Sequence, residues 1–190
     1  VARITEKCAG LAVGDPQDPG TEIGPLCTMA QVERIEETLA AARGQGARIA
    51  FGGARADQAS DHYFQPTLVL CDSPETQTLK TEMFGPVMTL LPFDTEEEAI
   101  ALANDSDYGL GSGIFTRDLA RAHRVSRRIR SGITWVNTYR AISPIAPFGG
   151  FNQSGYGREG GAEAILDYMR SKTVWISTSS EPMANPFVMR

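Results

Sequence analysis

Glu82-Met83-Phe84-Gly85-Pro86-Val87 sets a carboxylate and an aromatic ring two residues apart. A residue that precedes proline is pushed towards extended backbone, so Gly85-Pro86 stiffens the approach to the strand that follows. Residues two apart in an extended stretch point the same way, and Glu82 and Phe84 would then face one side. A carboxylate accepts hydrogen bonds from vicinal hydroxyls, and a ring packs on a sugar or a flat heterocycle. The same residues also read as a loop glutamate beside a core phenylalanine, and their types alone do not choose between the two.

A second constellation is Pro147-Phe148-Gly149-Gly150-Phe151-Asn152-Gln153-Ser154-Gly155-Tyr156-Gly157-Arg158-Glu159-Gly160-Gly161, with six glycines. Such density calls for close backbone approaches and positive φ angles. Gly155, Gly157 and Gly160 fit G-x-G-x-x-G, but no strand runs straight into them and no acidic residue ends a second strand about 20 positions on. The stretch reads as a loop folded over a site, not as a pyrophosphate cradle. Arg117, Arg121, Arg124 and Arg128 form a stripe with Arg127, Arg130 and His123 nearby. Taken alone the stripe would suit a phosphate or RNA, yet an acidic chain with an apolar stripe opposite favours a solvated outer face. Nucleophiles are scarce. Cys27 lies just before a helix start, where the dipole lowers a thiol pKa, but its segment holds no histidine, and the chain has only His62 and His123. Cys8 and Cys71 lie on apolar faces, as packing residues do. No H-x-x-x-H, G-x-S-x-G or G-x-x-x-x-G-K-[ST] is present. The residues offer ligand-facing loops without a reactive centre.

The scaffold that must hold these loops is ordinary in composition. The chain has 190 residues, 42% apolar and 22% charged, which fits one globular domain at about 150 residues per domain, with room for a small appendage. A net charge of −5 disfavours a dedicated nucleic-acid binder. No apolar run approaches the roughly 20 residues that cross a bilayer. Three widely spaced cysteines, without a C-x-x-C pair or a leader-like N-terminus, point to a reducing compartment, the cytoplasm. The chain opens inside what reads as a helix and without an initiator Met, so the expectation is a piece of a longer protein.

The pattern alternates helix and strand. Residues 1–11 read as a helix tail with Ile4, Cys8 and Leu11 on one face, and 14–26 as a Gly/Pro-punctuated loop. Thr28 and Gln31 make a capping box ahead of Met29, Val32, Ile35 and Leu39 at helical spacing. Strands are expected at 47–51, 63–71 and 87–93, with an acidic turn before the last. Asp94 with Glu97 would cap a helix over 95–104 that buries Ala99, Ile100, Leu102 and Ala103. A strand at 111–116, a helix marked by Leu119, Ala122, Val125 and Ile129, and a strand at 132–137 follow. A long loop, a helix over 161–170 and a last strand, Thr173–Ser177, complete the reading, with an irregular tail after Ser179. Alternation of this kind favours an α/β domain with a largely parallel sheet and flanking helices.

The blocks VGDPQDPGTEIGPL, TEMFGPV, YGLGSGIFTRD, SGITWVN, APFGGFNQSGYGRE and YMRSKTVWI together resemble, in order, the C-terminal part of the NAD(P)-dependent aldehyde dehydrogenase superfamily, from the N-terminus to about residue 178. The resemblance implies the C-terminal portion of that family's catalytic domain over 1–171, and an oligomerisation strand with an irregular tail over 172–190. It implies that Glu82 binds the nicotinamide-ribose hydroxyls of NAD or NADP and that Phe84 positions the nicotinamide. It places Asn137 at the active-site region, Ile142 and Phe148 along the substrate tunnel, and Glu159 near the catalytic centre as an accessory residue. Asn152 stands where the family usually has Lys. The family mechanism is thiolate attack on an aldehyde, hydride transfer to NAD(P)⁺ and hydrolysis of the thioester. Its nucleophilic Cys, its general-base Glu and its Rossmann domain lie upstream of every matched block, so no catalytic residue is assigned here and this chain alone is expected to be inactive. The partners implied are a small aldehyde and further copies of the chain, as a homo-dimer or tetramer, with no nucleic acid and no membrane. Two other readings are a truncated assembly module of the same superfamily and a relative that reduces acyl phosphates.

Overall fold

The computed structural model describes residues 1–183, 185 and 187. Its first half is organised by one helix. Thr28 takes extended backbone, its hydroxyl accepts from Gln31 N at 3.3 Å, and Gln31 Oε1 accepts from Thr28 N at 3.2 Å. The capping box expected from the sequence thus satisfies two donors that a helix start leaves orphaned. Helix α2 (Met29–Gly44) follows, after a short α1 (Ala2–Ala9) that buries no residue. Val32, Ile35, Leu39 and Ala42 recur on the inner face of α2 and close a core with Ala47, Phe64, Val69, Cys71 and Met83. That face covers a three-stranded sheet of β1 (Arg48–Phe51), β2 (Thr67–Leu70) and β3 (Val87–Leu90), in that order. β2 and β3 are parallel, with Thr67 opposite Val87 and Leu70 opposite Leu90. β1 runs antiparallel to β2, with a register shift between Ile49 and Phe51, and departs from the parallel arrangement expected. Its link to β2 carries no helix to turn the chain around, and parallel neighbours need such a crossover. The acidic turn expected before β3 contains one helical turn, α3 (Gln77–Lys80).

The second half is a βαβ unit. β4 (Gly111–Ile114) and β5 (Ile133–Val136) pair in parallel as a separate two-stranded sheet, joined through α5 (Leu119–Arg128). Between β3 and β4 in the chain lies α4 (Glu96–Asn104). Its cap is Thr95, whose hydroxyl accepts from Glu98 N at 3.1 Å, not Asp94 as expected. A capping side chain reaches the amide three residues on, and Asp94 stands one residue too early. Its own amide instead donates to the Glu98 carboxylate at 2.8 Å. Only Ile100 of α4 is buried, and Leu119 of α5 is exposed, so the apolar stripe narrows to Ala122 and Val125. The arginine stripe is partly engaged within the chain. Arg124 Nε and Arg121 Nε donate to the Glu96 carboxylate at 2.6 and 3.1 Å and tie α5 to α4. The Arg124 hydrogen bonds hold the Glu96 carboxyl at about 2.

Two elements expected near the C-terminus take other forms. Residues 161–170 hold a 3₁₀ helix (Glu163–Tyr168) with Ile165, Leu166 and Tyr168 exposed, not an α-helix. Thr173–Ser177 forms no strand and pairs with nothing among the described residues, and Trp175 is 92% exposed. A β-branched run has strand propensity, but a strand exists only through a paired neighbour. The last part of the expected tail, at 184, 186 and 188–190, lies outside the described residues.

Candidate functional site

Glu82 and Phe84 lie on the segment that leads from α3 into β3. Met83 between them is buried against the α2 core, and both neighbours are exposed. The alternation read from the sequence holds, but the backbone is not simply extended. Phe84 takes φ of +53°, a left-handed conformation that costs a non-glycine residue on the order of 1–3 kcal/mol unless its surroundings enforce it. Four contacts do so. Met83 is anchored in the core. Val87 N donates to Gly85 O and Thr67 N to Pro86 O, each at 2.8 Å. Gly85 presses so closely on α2 that a Cβ there would stand 2.4 Å from Ile35 Cδ1. Phe84 is thereby held 73% exposed.

Glu82 and Phe84 line a cleft of about 440 Å³ whose wall includes Thr78, Val87 and Thr89. Among the described residues the Glu82 carboxylate enters no ion pair. An unengaged carboxylate beside an exposed ring can take vicinal hydroxyls and a flat ring together. Thr78 and Thr89, whose buried hydroxyls find no partner among the described residues, are wall residues that the sequence did not single out. Single threonines carry no motif that would have shown them.

The other expected site residues fall elsewhere. Phe148 and Glu159 are brought together by a two-way backbone bridge, Phe148 N to Glu159 O at 2.6 Å and Glu159 N to Phe148 O at 2.7 Å. They line a cleft of about 660 Å³ with Arg158, Asp167 and Tyr168, and the Glu159 residue is exposed. The glycine loop is pinned over residues 107–109: Phe151 N donates to Gly109 O, Gln153 N to Asp107 O, and Gly109 N to Ser154 Oγ. Asn152 opens a 3₁₀ turn there at φ +53°. Asn137 ends β5 with its amide already engaged: Oδ1 accepts from Thr116 N at 2.9 Å and Nδ2 donates to Thr116 O at 2.8 Å. Ile142 stands exposed on the segment after it.

Cys27 is exposed, Cys8 half-buried and Cys71 buried, all as free thiols. Burial pushes the Cys71 thiol up, as suits a packing residue. The fold brings His62 next to the Cys27 segment, which the sequence did not show. Leu26 N donates to His62 O at 2.8 Å, and His62 Nδ1 lies 3.1 Å from Leu26 O. The ring is therefore engaged by a carbonyl. Among the described residues there is no cluster of metal-ligating side chains, and no helix is long and apolar enough to cross a membrane.

Comparison with known proteins adds the context of these clefts. The sequence model of the aldehyde dehydrogenase family matches residues 1–174. A (Z)-2-((N-methylformamido)methylene)-5-hydroxybutyrolactone dehydrogenase of Acinetobacter baylyi is 49% identical over 189 residues, which are 99% of this chain and 38% of that protein. A betaine aldehyde dehydrogenase of Cereibacter sphaeroides is 44% identical over 93% of this chain and 36% of its own length. Among solved structures, a betaine aldehyde dehydrogenase from Staphylococcus aureus in complex with NAD⁺ superposes with a TM-score of 0.88 at 34% identity, over 99% of this chain and 38% of that one. PnpE from Pseudomonas sp. WBC-3 gives 0.88 at 40% identity over 98% and 38%. The chain thus spans 36–38% of the length of these relatives.

Proposed function

This chain belongs to the aldehyde dehydrogenase family, and from that we propose that it forms the nicotinamide-ribose clamp and one wall of the substrate tunnel in a dehydrogenase that oxidises an aldehyde to a carboxylic acid. The observation that carries this reading is the display of Glu82 and Phe84, one exposed carboxylate and one exposed ring that line one cleft on either side of a buried Met83. NAD(P)⁺, when bound, supplies the hydride acceptor. Glu82 would accept hydrogen bonds from both ribose hydroxyls and so fix the sugar. Phe84 would lie against the nicotinamide and limit its swing. Ile142 and Phe148 would give the aldehyde an apolar wall, and Glu159, exposed in the Phe148 cleft, would act as an accessory group near the reacting carbon. The thiol nucleophile and the phosphate-binding helix N-terminus would come from outside these residues. Cys27 has no base engaged with it among the described hydrogen bonds, so we assign it no catalytic role. Residues 172–177, unpaired among the described residues with Val174, Trp175 and Ile176 outward, would join a sheet on a second copy of the protein.

The test is Glu82→Gln in the full-length dehydrogenase. Hydrogen bonds to a charged group contribute roughly 1.5–3 kcal/mol each, so the hydride step should slow by about tenfold or more, with acylation much less affected. Single-turnover formation of NADH at the wild-type rate would overturn the clamp.

A further inference from the structure

The segment that carries Ile142 leaves β5 through two non-glycine residues in the left-handed region, Asn137 at φ +54° and Arg140 at φ +60°. Two such residues within four positions persist only where the surroundings over-determine them. Asn137 is fixed by its paired hydrogen bonds to the Thr116 backbone. Beyond it, none of the described backbone-to-backbone hydrogen bonds involves residues 138–142. What holds this stretch is a side chain. Trp135, half-buried on β5, donates its indole Nε1–H to the Ala141 carbonyl at 2.8 Å. The Tyr139 ring stands edge-on to the same indole at 5.2 Å between centroids. The indole has a tailored seat on the neighbouring strand: a Cβ at Gly111 would stand 2.8 Å from Trp135 Cζ3. A partly buried indole N–H seeks a partner, and here the partner is the peptide immediately before Ile142.

We propose that Trp135 is a positioning residue that sets the place of Ile142 in the substrate wall, through the indole hydrogen bond to the Ala141 carbonyl and the Gly111 seat. This rests on the reading of Ile142 as part of that wall. In this role Trp135 acts through Ile142, so its removal should alter how tightly the aldehyde is held, and not how NAD⁺ binds. Trp135→Phe keeps most of the ring and deletes the donor. Gly111→Ala leaves the indole intact and crowds it from the far side, a second route to the same displacement if the first variant folds poorly.

The experiment measures KM and kcat for a series of aldehydes of increasing bulk, and Kd for NAD⁺, in the full-length dehydrogenase and in Trp135→Phe, Gly111→Ala, Ile142→Ala and the Trp135→Phe/Ile142→Ala double variant. One hydrogen bond lost corresponds to an increase of about threefold to tenfold in KM for the bulkier aldehydes, larger than any change in kcat, with Kd for NAD⁺ unchanged. On the Ile142→Ala background, Trp135→Phe should add nothing further, because the residue it positions is gone. If Ile142→Ala shifts the aldehyde profile and neither Trp135→Phe nor Gly111→Ala does, the positioning role is overturned and the wall reading stands. A Trp135→Phe effect that persists in full on the Ile142→Ala background also overturns it. If Ile142→Ala leaves the profile unchanged, the wall reading falls and the positioning role falls with it.

Discussion

The α2–sheet half and the β4–β5 half both combine helices with a parallel strand pair, yet only the first closes a core. In the first, α2 contributes Val32, Ile35, Leu39 and Ala42 to one cluster with Phe64, Val69 and Met83. In the second, α5 buries Ala122 and Val125, and α4 buries Ile100. The large apolar side chains after β4 stand largely outside: Phe115, Ile145, Tyr156, Tyr168 and Trp175 are all exposed. The difference lies in where each half keeps its bulk. The first places large residues at the spacing of one helix face, so a single packing event removes them from water. The second places them on loops and at strand ends, where their burial needs another surface. The exposed pair Glu82 and Phe84 depends on the first half, because the strained Phe84 is held by Met83 and Gly85, both pressed on α2.

The contrast between the halves breaks most readily at a buried ring. Phe64→Ala removes a fully buried side chain and should cost about 3–5 kcal/mol, whereas Phe115→Ala, at 74% exposure, should stay within about 0.5 kcal/mol. Urea unfolding of the 190-residue chain followed by circular dichroism reads both, and equal costs would mean that the second half has a core of its own. Gly85→Ala sharpens the link between the core and the proposed clamp. The added methyl meets Ile35 Cδ1 at 2.4 Å, and overpacking of this kind costs about 1–3 kcal/mol. In the full-length enzyme the same variant should weaken NAD⁺ binding, as a displaced Phe84 would. A destabilised variant with unaltered cofactor affinity would separate the two.

The smallest effect belongs to the exposed ion pairs of the second half. Glu96 sits at about 2 in the folded chain against an ordinary 4.5, chiefly through its hydrogen bonds to Arg124. A carboxyl whose folded value is depressed adds stability that is fully present above the unfolded value and is lost as pH falls through the folded one. The Glu96 contribution should therefore hold above pH 4.5 and fade between 4.5 and about 2. In Glu96→Gln the acid limb of the stability profile should flatten across that window. An unchanged slope would show that the Arg124 contact contributes nothing in solution, as many surface pairs do.

Much of the first half is legible along the chain. The Thr28–Gln31 box and the α2 stripe involve residues three and four apart, where covalent geometry fixes who meets whom. The order of the motif blocks is equally legible, and it points to the family. The sequence places the cap of α4 one residue early because Asp94 and Thr95 are both good capping types. A strand at Thr173–Ser177 follows from propensity alone, which says what a segment favours but supplies no edge for it to pair with.

The sequence by itself determined the Thr28–Gln31 cap, the inner face of α2 and the positions of strands β1 to β5, because these act within a few bonds or one period of regular structure. Only the tertiary structure decided which polar groups are already engaged. The Asn137 amide is taken by Thr116, the His62 ring by Leu26, the Glu96 carboxylate by Arg121 and Arg124, and the Trp135 indole by Ala141. These partners lie six to 36 positions away in the chain. They meet because the packing of helices on strands brings distant segments into reach, which no local spacing along the chain encodes.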